Sequence, residues 1–311
     1  MGHDHDHGHH GHGHHGHSHA PSHGRAFAIS LVLNIGFVVT EVVYGLMADS
    51  MALVADAAHN LGDVLGLALA WGATRLVKIE PCDRRTYGWR KSTVLAAVLN
   101  ATLILVAVGG VAWEAVGRIA APVPVDGWTV VAVAAVGVAV NGVSAALFFA
   151  GRKHDANIRG AFLHLATDAA VSVGVVLAGA LVLTTGWHWV DPATSLIVSV
   201  IVVAATWGLL RESVGMLMDA VPGHIDLKKV RDCMCELPGV ADVHDLHVWA
   251  MSTNETSLTA HVAIEDGYDA ATLLLALEAE LRTRFEIGHT TVQLEPRGVA
   301  ADCDQGRAGH L

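Results

Sequence analysis

Six stretches of this 311-residue chain are long and apolar enough to cross a hydrocarbon core about 30 Å thick, which takes roughly 20 helical residues each. They run over residues 27–48, 51–77, 93–120, 128–150, 158–185 and 192–211. The composition agrees: 52% of residues are hydrophobic, 16% are charged and the mean hydropathy is +0.45, too apolar and charge-poor for an ordinary soluble domain. The chain is therefore read as an α-helical membrane protein with six transmembrane helices. Gly and Ala are abundant in the spans, as close helix packing in a membrane requires.

Basic residues fix the orientation, because short cytoplasmic loops carry an excess of them. Arg75, Lys78, Arg84, Arg85, Arg90 and Lys91 lie at the connection between spans two and three, and Arg152, Lys153 and Arg159 at the one between spans four and five. The opposite connections hold almost none, Arg118 apart. Both termini are thus expected in the cytoplasm, with Trp187 and Trp189 in an aromatic belt on the far side or simply in a loop.

After Arg211 the apolar character falls away. A helix over 225–237, strands over 243–250 and 257–264, a helix over 270–285 and a strand over 290–294 follow from periodicity and turn signals. The αββαβ order predicts a small cytoplasmic α+β domain, ferredoxin-like, with helices on one sheet face. The domain plan is a disordered His-rich tail (1–24), the membrane domain (25–213), the cytoplasmic domain (214–296) and a disordered tail (297–311).

The formal charge of −11 argues against nucleic acid as a partner and leaves room for cations. Cys82, Cys233, Cys235 and Cys303 have no disulfide-framework spacing, so a reducing compartment is expected for the soluble parts. The Gly/His-rich start lacks the basic and apolar regions of a secretory signal.

Ionisable groups inside a bilayer cost several kcal/mol, so each is a functional hypothesis by default. Span two holds His59 and Asp63 four residues apart, and span five holds His164 and Asp168 at the same spacing. Each pair lies on one helix face, about a turn apart. If the faces meet, two imidazoles and two carboxylates converge into a set that suits tetrahedral Zn²⁺. The alternative for each pair is an interhelical hydrogen bond, but four such groups are hard to bury without a ligand. Asp56, one turn before His59, is placed to orient its imidazole. Glu41 and Glu114 are open between packing and function.

The span order, the two His-x-x-x-Asp pairs, Ser-Met-Ala-Leu-Val-Ala-Asp-Ala-Ala-His-Asn-Leu-Gly-Asp (50–63), Tyr87-Gly-Trp-Arg-Lys91 and His244-Asp-Leu-His-Val-Trp249 together resemble the cation diffusion facilitator family, in its zinc-exporting subgroup. The resemblance covers residues 25–296. It implies a homodimeric secondary transporter in a bacterial inner membrane that exports Zn²⁺, or Cd²⁺ or Co²⁺, against protons by alternating access, with no organic cofactor. His59, Asp63, His164 and Asp168 would be the transport site. Metal binds only neutral imidazole and ionised carboxylate, so protons and metal compete for them.

A second metal site that some bacterial relatives carry in the loop between spans two and three is expected to be absent. Arg85 and Trp89 stand where its histidines would be, and only Asp83 remains. Lys91 resembles a family lysine that pairs with an aspartate after span six, for which Asp219 is the candidate; a solvated loop charge is the other reading. The resemblance also implies a regulatory Zn²⁺ in the cytoplasmic domain on His244, His261, His289 and Glu295, all on or beside the expected strands. Cys233, Cys235 and Cys303 are further possible ligands. The 11 histidines before Gly24 read as a weak metal-capturing tail.

Other function classes fit less well. An intramembrane metalloenzyme lacks a His-Glu-x-x-His motif and a spare general base, and an ATP-driven pump lacks a Walker motif. A sensor or storage protein leaves the four intramembrane ligands unexplained.

Overall fold

The computed structural model of the chain describes residues 23–149 and 156–297. The expected tails lie outside these, except that His23 and Gly24 open the first helix and Arg297 follows the last strand. Six long helices form the first part: α1 (His23–Met47), α2 (Met51–Val77), α3 (Ser92–Ala120), α4 (Gly127–Phe148), α5 (Ala156–Thr185) and α6 (Val190–Leu217). All six are long and apolar enough to cross a membrane. Helix α6 overruns both ends expected for the sixth span. Pro192 falls in its first turn, where its missing N–H removes no helical hydrogen bond.

Helix α1 lies between α2 and α4, α5 runs along α4, and α6 runs along α3. Helix α2 packs on α1, α3 and α6, which leaves its remaining face toward α5 at the centre of the bundle. Phe37, Leu53, Val130, Val133 and Val175 fill one core between α1, α2, α4 and α5; Ile104, Val108, Val198 and Val202 fill another between α3 and α6. The outward faces are apolar as well: Val32 is 70% exposed, Trp113 83% and Val200 67%. Such a surface suits lipid, in which a helix satisfies its own backbone hydrogen bonds. Gly62 lets α3 approach α2 closely, because a β-carbon there would overlap Ile104.

The ends of the helices are held by side chains that the backbone requires. Ser50 caps α2 by accepting from the Leu53 amide, and Asp126 caps α4 through the Trp128 and Thr129 amides. Asp126 is exposed, and the Thr129 hydroxyl holds its carboxyl below the usual carboxylate range.

The second part contains α7 (Leu227–Cys235), β1 (Val240–Ser252), β2 (Glu255–Ile264), α8 (Ala270–Phe285) and β3 (Ile287–Pro296), in the expected αββαβ order. Strands β1 and β2 form an antiparallel hairpin, and β3 joins the other side of β2 in parallel after α8 supplies the crossover. Val230, Met234, Leu273, Leu277 and Leu281 from the helices pack on Val243, Val248, Leu258 and Val262 of the sheet. The strands exceed the alternating apolar windows in the sequence because their polar ends still pair.

The two parts are joined through the α2–α3 loop. Arg90 donates to Glu255 at 2.9 Å, the Tyr87 ring meets His289 edge to face at 5.7 Å, and the Thr253 amide donates to the Thr93 hydroxyl at 3.1 Å. Lys91 reaches Asp219 at 2.6 Å and the Met216 carbonyl at 2.9 Å, so it is a paired charge rather than a solvated one.

Candidate metal centre

His59 and Asp63 of α2 meet His164 and Asp168 of α5 in an alternating square. His59 Nε2 lies 3.3 Å from Asp168 Oδ1 and 3.9 Å from Asp63 Oδ2. His164 Nε2 lies 3.4 Å from Asp63 Oδ2 and 3.6 Å from Asp168 Oδ2. Each imidazole thus touches both carboxylates, and the two rings sit edge to face with centroids 6.2 Å apart. Ligand atoms of His59, Asp63 and Asp168 fall within 4.8 Å of one another. His164 completes the set through its two carboxylate contacts.

A cavity of about 140 Å³ opens on Asp63, His164 and Asp168, lined also by Ser30, Asn34 and Phe148. Its lining comes from the N-terminal halves of α1 and α5, the middle of α2 and the last residue of α4, toward the side of the α2–α3 loop. Toward the other end, Phe37, Leu53, Val130, Val133 and Val175 close the bundle. Exposure follows this asymmetry, with the His164 side chain 47% exposed and that of Asp168 only 4%.

A second layer lies behind the square. Asn60, next to His59, donates to Glu41 Oε2 at 2.9 Å, and Ser172, one turn after Asp168, donates to Asp56 Oδ2 at 3.2 Å. Among the described residues no hydrogen bond or ion pair joins Asp56 to His59, so Asp56 does not orient that ring as expected. It turns instead toward Glu41 and α5.

A second cluster sits on the sheet. His244 and His261 are register partners on β1 and β2, and their rings lie 5.3 Å apart. Glu295 on β3 reaches His244 Nε2 at 3.2 Å and His261 Nδ1 at 3.0 Å. Both nitrogens of His244 and Glu295 Oε2 are buried without a well-aligned hydrogen bond, the condition of ligands short of a partner. Asp245 joins them, 3.8 Å from His261 Nε2, because a bulge between His244 and His247 and a φ of 49° bring it to this face.

Residues 27–218 match the family description "Cation efflux transmembrane domain" and residues 222–297 "Cation efflux protein, cytoplasmic domain". The chain belongs to the cation efflux family. It is 34% identical to the metal cation efflux system protein CzcD of Cupriavidus metallidurans, over 99% of this chain and 92% of that one. It is 35% identical to the zinc transporter ZitB of Escherichia coli (strain K12), over 93% and 94%. The cadmium, cobalt and zinc/H(+)-K(+) antiporter of Bacillus subtilis is 30% identical over 95% and 92%. The cation efflux family is one of transporters, not enzymes, and this member is a multi-pass membrane protein.

Within this cation efflux chain the four intramembrane residues singled out in the sequence come together. Of the four cytoplasmic ones, His244, His261 and Glu295 do so. His289 stands apart, opposite Ser257 in the register and against Tyr87. Cys233 is buried with Arg284 at 3.1 Å from its sulfur, Cys235 is exposed, and neither joins a ligand cluster among the described residues. Cys303 lies outside them. In the α2–α3 loop Arg85 lies 3.9 Å over the Trp89 ring, and no metal-ligand cluster forms there among the described residues.

Asp191 and Asp245 carry structural weight that the sequence alone leaves unassigned. Asp191 had a signal, an aspartate directly before proline at a helix start. Asp245 belongs to the His244–Trp249 motif, but its place on this face was hidden, because a bulge is invisible to strand alternation.

Proposed function

We propose that the chain exports Zn²⁺ from the cytoplasm, with Cd²⁺ and Co²⁺ as competing cargo, in exchange for protons. The observation that carries this is the square itself: two imidazole nitrogens alternating with two carboxylates, one of each from α2 and from α5. Two nitrogen and two oxygen ligands in a compact set suit tetrahedral Zn²⁺, whereas harder ions prefer oxygen alone. The names of the relatives support the same cargo, zinc for one and cadmium, cobalt and zinc against protons and potassium for another.

The residues account for the exchange. His59 and His164 bind metal only when neutral, and Asp63 and Asp168 only when ionised. Protons arriving from the far side displace the ion, and their loss on the cytoplasmic side restores the ligands. The cavity on the side of the α2–α3 loop, with apolar packing beyond the ligands, is the arrangement of a carrier open to the cytoplasm. Rocking of the helices would expose the ligands to the other side. This reading places both termini in the cytoplasm of a bacterial cell, and the cytoplasmic domain at a homodimer contact.

His244, His261 and Glu295 would hold a regulatory Zn²⁺ that ties all three strands together. Substituting His244→Ala should lower zinc bound by the purified protein by about one ion per chain. Equilibrium dialysis followed by elemental analysis reads this, and unchanged stoichiometry would count against the site.

Metal flux into proteoliposomes under an imposed pH gradient, compared for Zn²⁺, Cd²⁺, Co²⁺ and Mn²⁺, tests the function. Zn²⁺ should move fastest and Mn²⁺ at background, and flux should vanish when the gradient collapses. His164→Ala should abolish zinc flux while leaving the dimer intact by light scattering. Flux that ignores the pH gradient would remove the antiport claim.

A further inference from the structure

Two carboxyl groups in the bundle belong to neither metal cluster. Glu41 of α1 and Asp56 of α2 are both completely inaccessible. They lie within hydrogen-bonding reach of each other. Their other partners are neutral: the Asn60 amide for Glu41 and the Ser172 hydroxyl for Asp56. One oxygen of each, Glu41 Oε1 and Asp56 Oδ1, has no donor at all. Among the described residues no Lys or Arg forms an ion pair with either.

Two carboxylates in contact inside a membrane bundle, without a cation, cannot both stay ionised. One proton on the pair removes the repulsion and supplies the donor that both orphaned oxygens lack. We propose that Glu41 and Asp56 form a proton-binding site, distinct from the metal ligands, that carries a counter-transported proton. This deepens the antiport reading given above and rests on it.

The placement gives the pair a means of sensing the cargo. The charged or titratable groups that act on it are His59 on its own helix α2 and Asp168 on α5. Asn60 is the chain neighbour of His59, and Ser172 lies one turn from Asp168 on the same face of α5. A divalent cation in the square adds positive charge beside the pair and favours loss of its proton to water. Departure of the cation favours the return of a proton. The Glu41–Asp56 contact also ties α1 to the α2–α5 unit, so protonation and helix arrangement are coupled.

The test uses the full-length protein. Protons released on zinc binding are counted by calorimetry in buffers of different ionisation enthalpy, and zinc-driven proton flux is followed in proteoliposomes with a trapped pH dye. Glu41→Gln keeps the shape and the hydrogen bonds but carries no proton. It should release about one proton fewer per zinc than the unaltered chain. Flux driven by the pH gradient should fall by at least about tenfold while zinc affinity changes by less than that. Asp56→Asn, measured alongside, should behave the same way. Proton release and coupling at the unaltered level in either variant would overturn the proposal. So would loss of zinc binding in both, which would make the pair a support for the metal site. Absence of zinc-coupled proton movement in the unaltered chain would instead bring down the antiport reading itself.

Discussion

Asp168→Ala should abolish zinc transport without weakening the fold. The carboxylate is almost fully buried and touches both imidazoles, His59 at 3.3 Å and His164 at 3.6 Å. Its removal leaves three ligands and strips both histidines of an anionic neighbour. Loss of a supporting partner outside the ligand set typically lowers metal affinity by about 10–100-fold, so loss of a ligand should exceed about a hundredfold. Stability should change by no more than about 1 kcal/mol, because a buried carboxylate without a fixed cation contributes little to folding. Zinc flux in proteoliposomes and thermal unfolding in detergent read the two quantities separately. Transport at an appreciable fraction of the original rate would remove Asp168 from the site.

Asp191→Ala should do the reverse, weakening the fold strongly. Asp191 opens α6, is 2% exposed, and closes the start of α2 at the end of the bundle away from the cytoplasmic domain. One oxygen accepts from the Ser50 hydroxyl at 2.5 Å and the other from the Met51 amide at 2.6 Å, with the Ala52 amide at 3.4 Å. Helix starts leave their first amides without backbone acceptors, and here a neighbouring helix supplies the anion. Truncation strands Met51 N–H and the Ser50 hydroxyl in a buried place. Adding a lost cap to a lost charged hydrogen bond gives about 2–4 kcal/mol. The expected result is a clearly lower melting temperature, with Asp191→Asn intermediate because it keeps one acceptor oxygen. An unchanged melting temperature would show that α2 holds its position without this contact.

The contrast between these two aspartates shows what the sequence could disclose. Asp168 was legible because His164 precedes it by one helical turn and the same pair recurs in α2; a repeated polar spacing in apolar spans needs no tertiary information. The six helices were legible for the same reason, since hydropathy over a membrane-spanning length overrides local preference. The apolar run predicts the sixth span only from Pro192, two residues after α6 begins, so Asp191 falls outside it. The join of Asp191 to Ser50 spans 141 positions and belongs to the packing of α6 against α2.

The cytoplasmic cluster was only half legible. Strand alternation put His244 and His261 on the sheet, and register made them partners. It could not tell that β3 sets Gln293, not His289, opposite His261, nor that a bulge brings Asp245 to the same face. The role of Asp56 was misjudged because helical spacing to His59 is a local argument. The side chain is held instead by Ser172 from α5 and lies against Glu41 from α1, partners set by tertiary packing.

On the proposed function, the transported ion sits between α2 and α5. Anomalous scattering at the zinc edge, from crystals of the protein grown with Zn²⁺, locates the ion directly. A peak is expected at about 2.0–2.2 Å from Nε2 of His59 and His164 and from one carboxylate oxygen each of Asp63 and Asp168. A peak confined to His244, His261 and Glu295, with none inside the helix bundle, would contradict it.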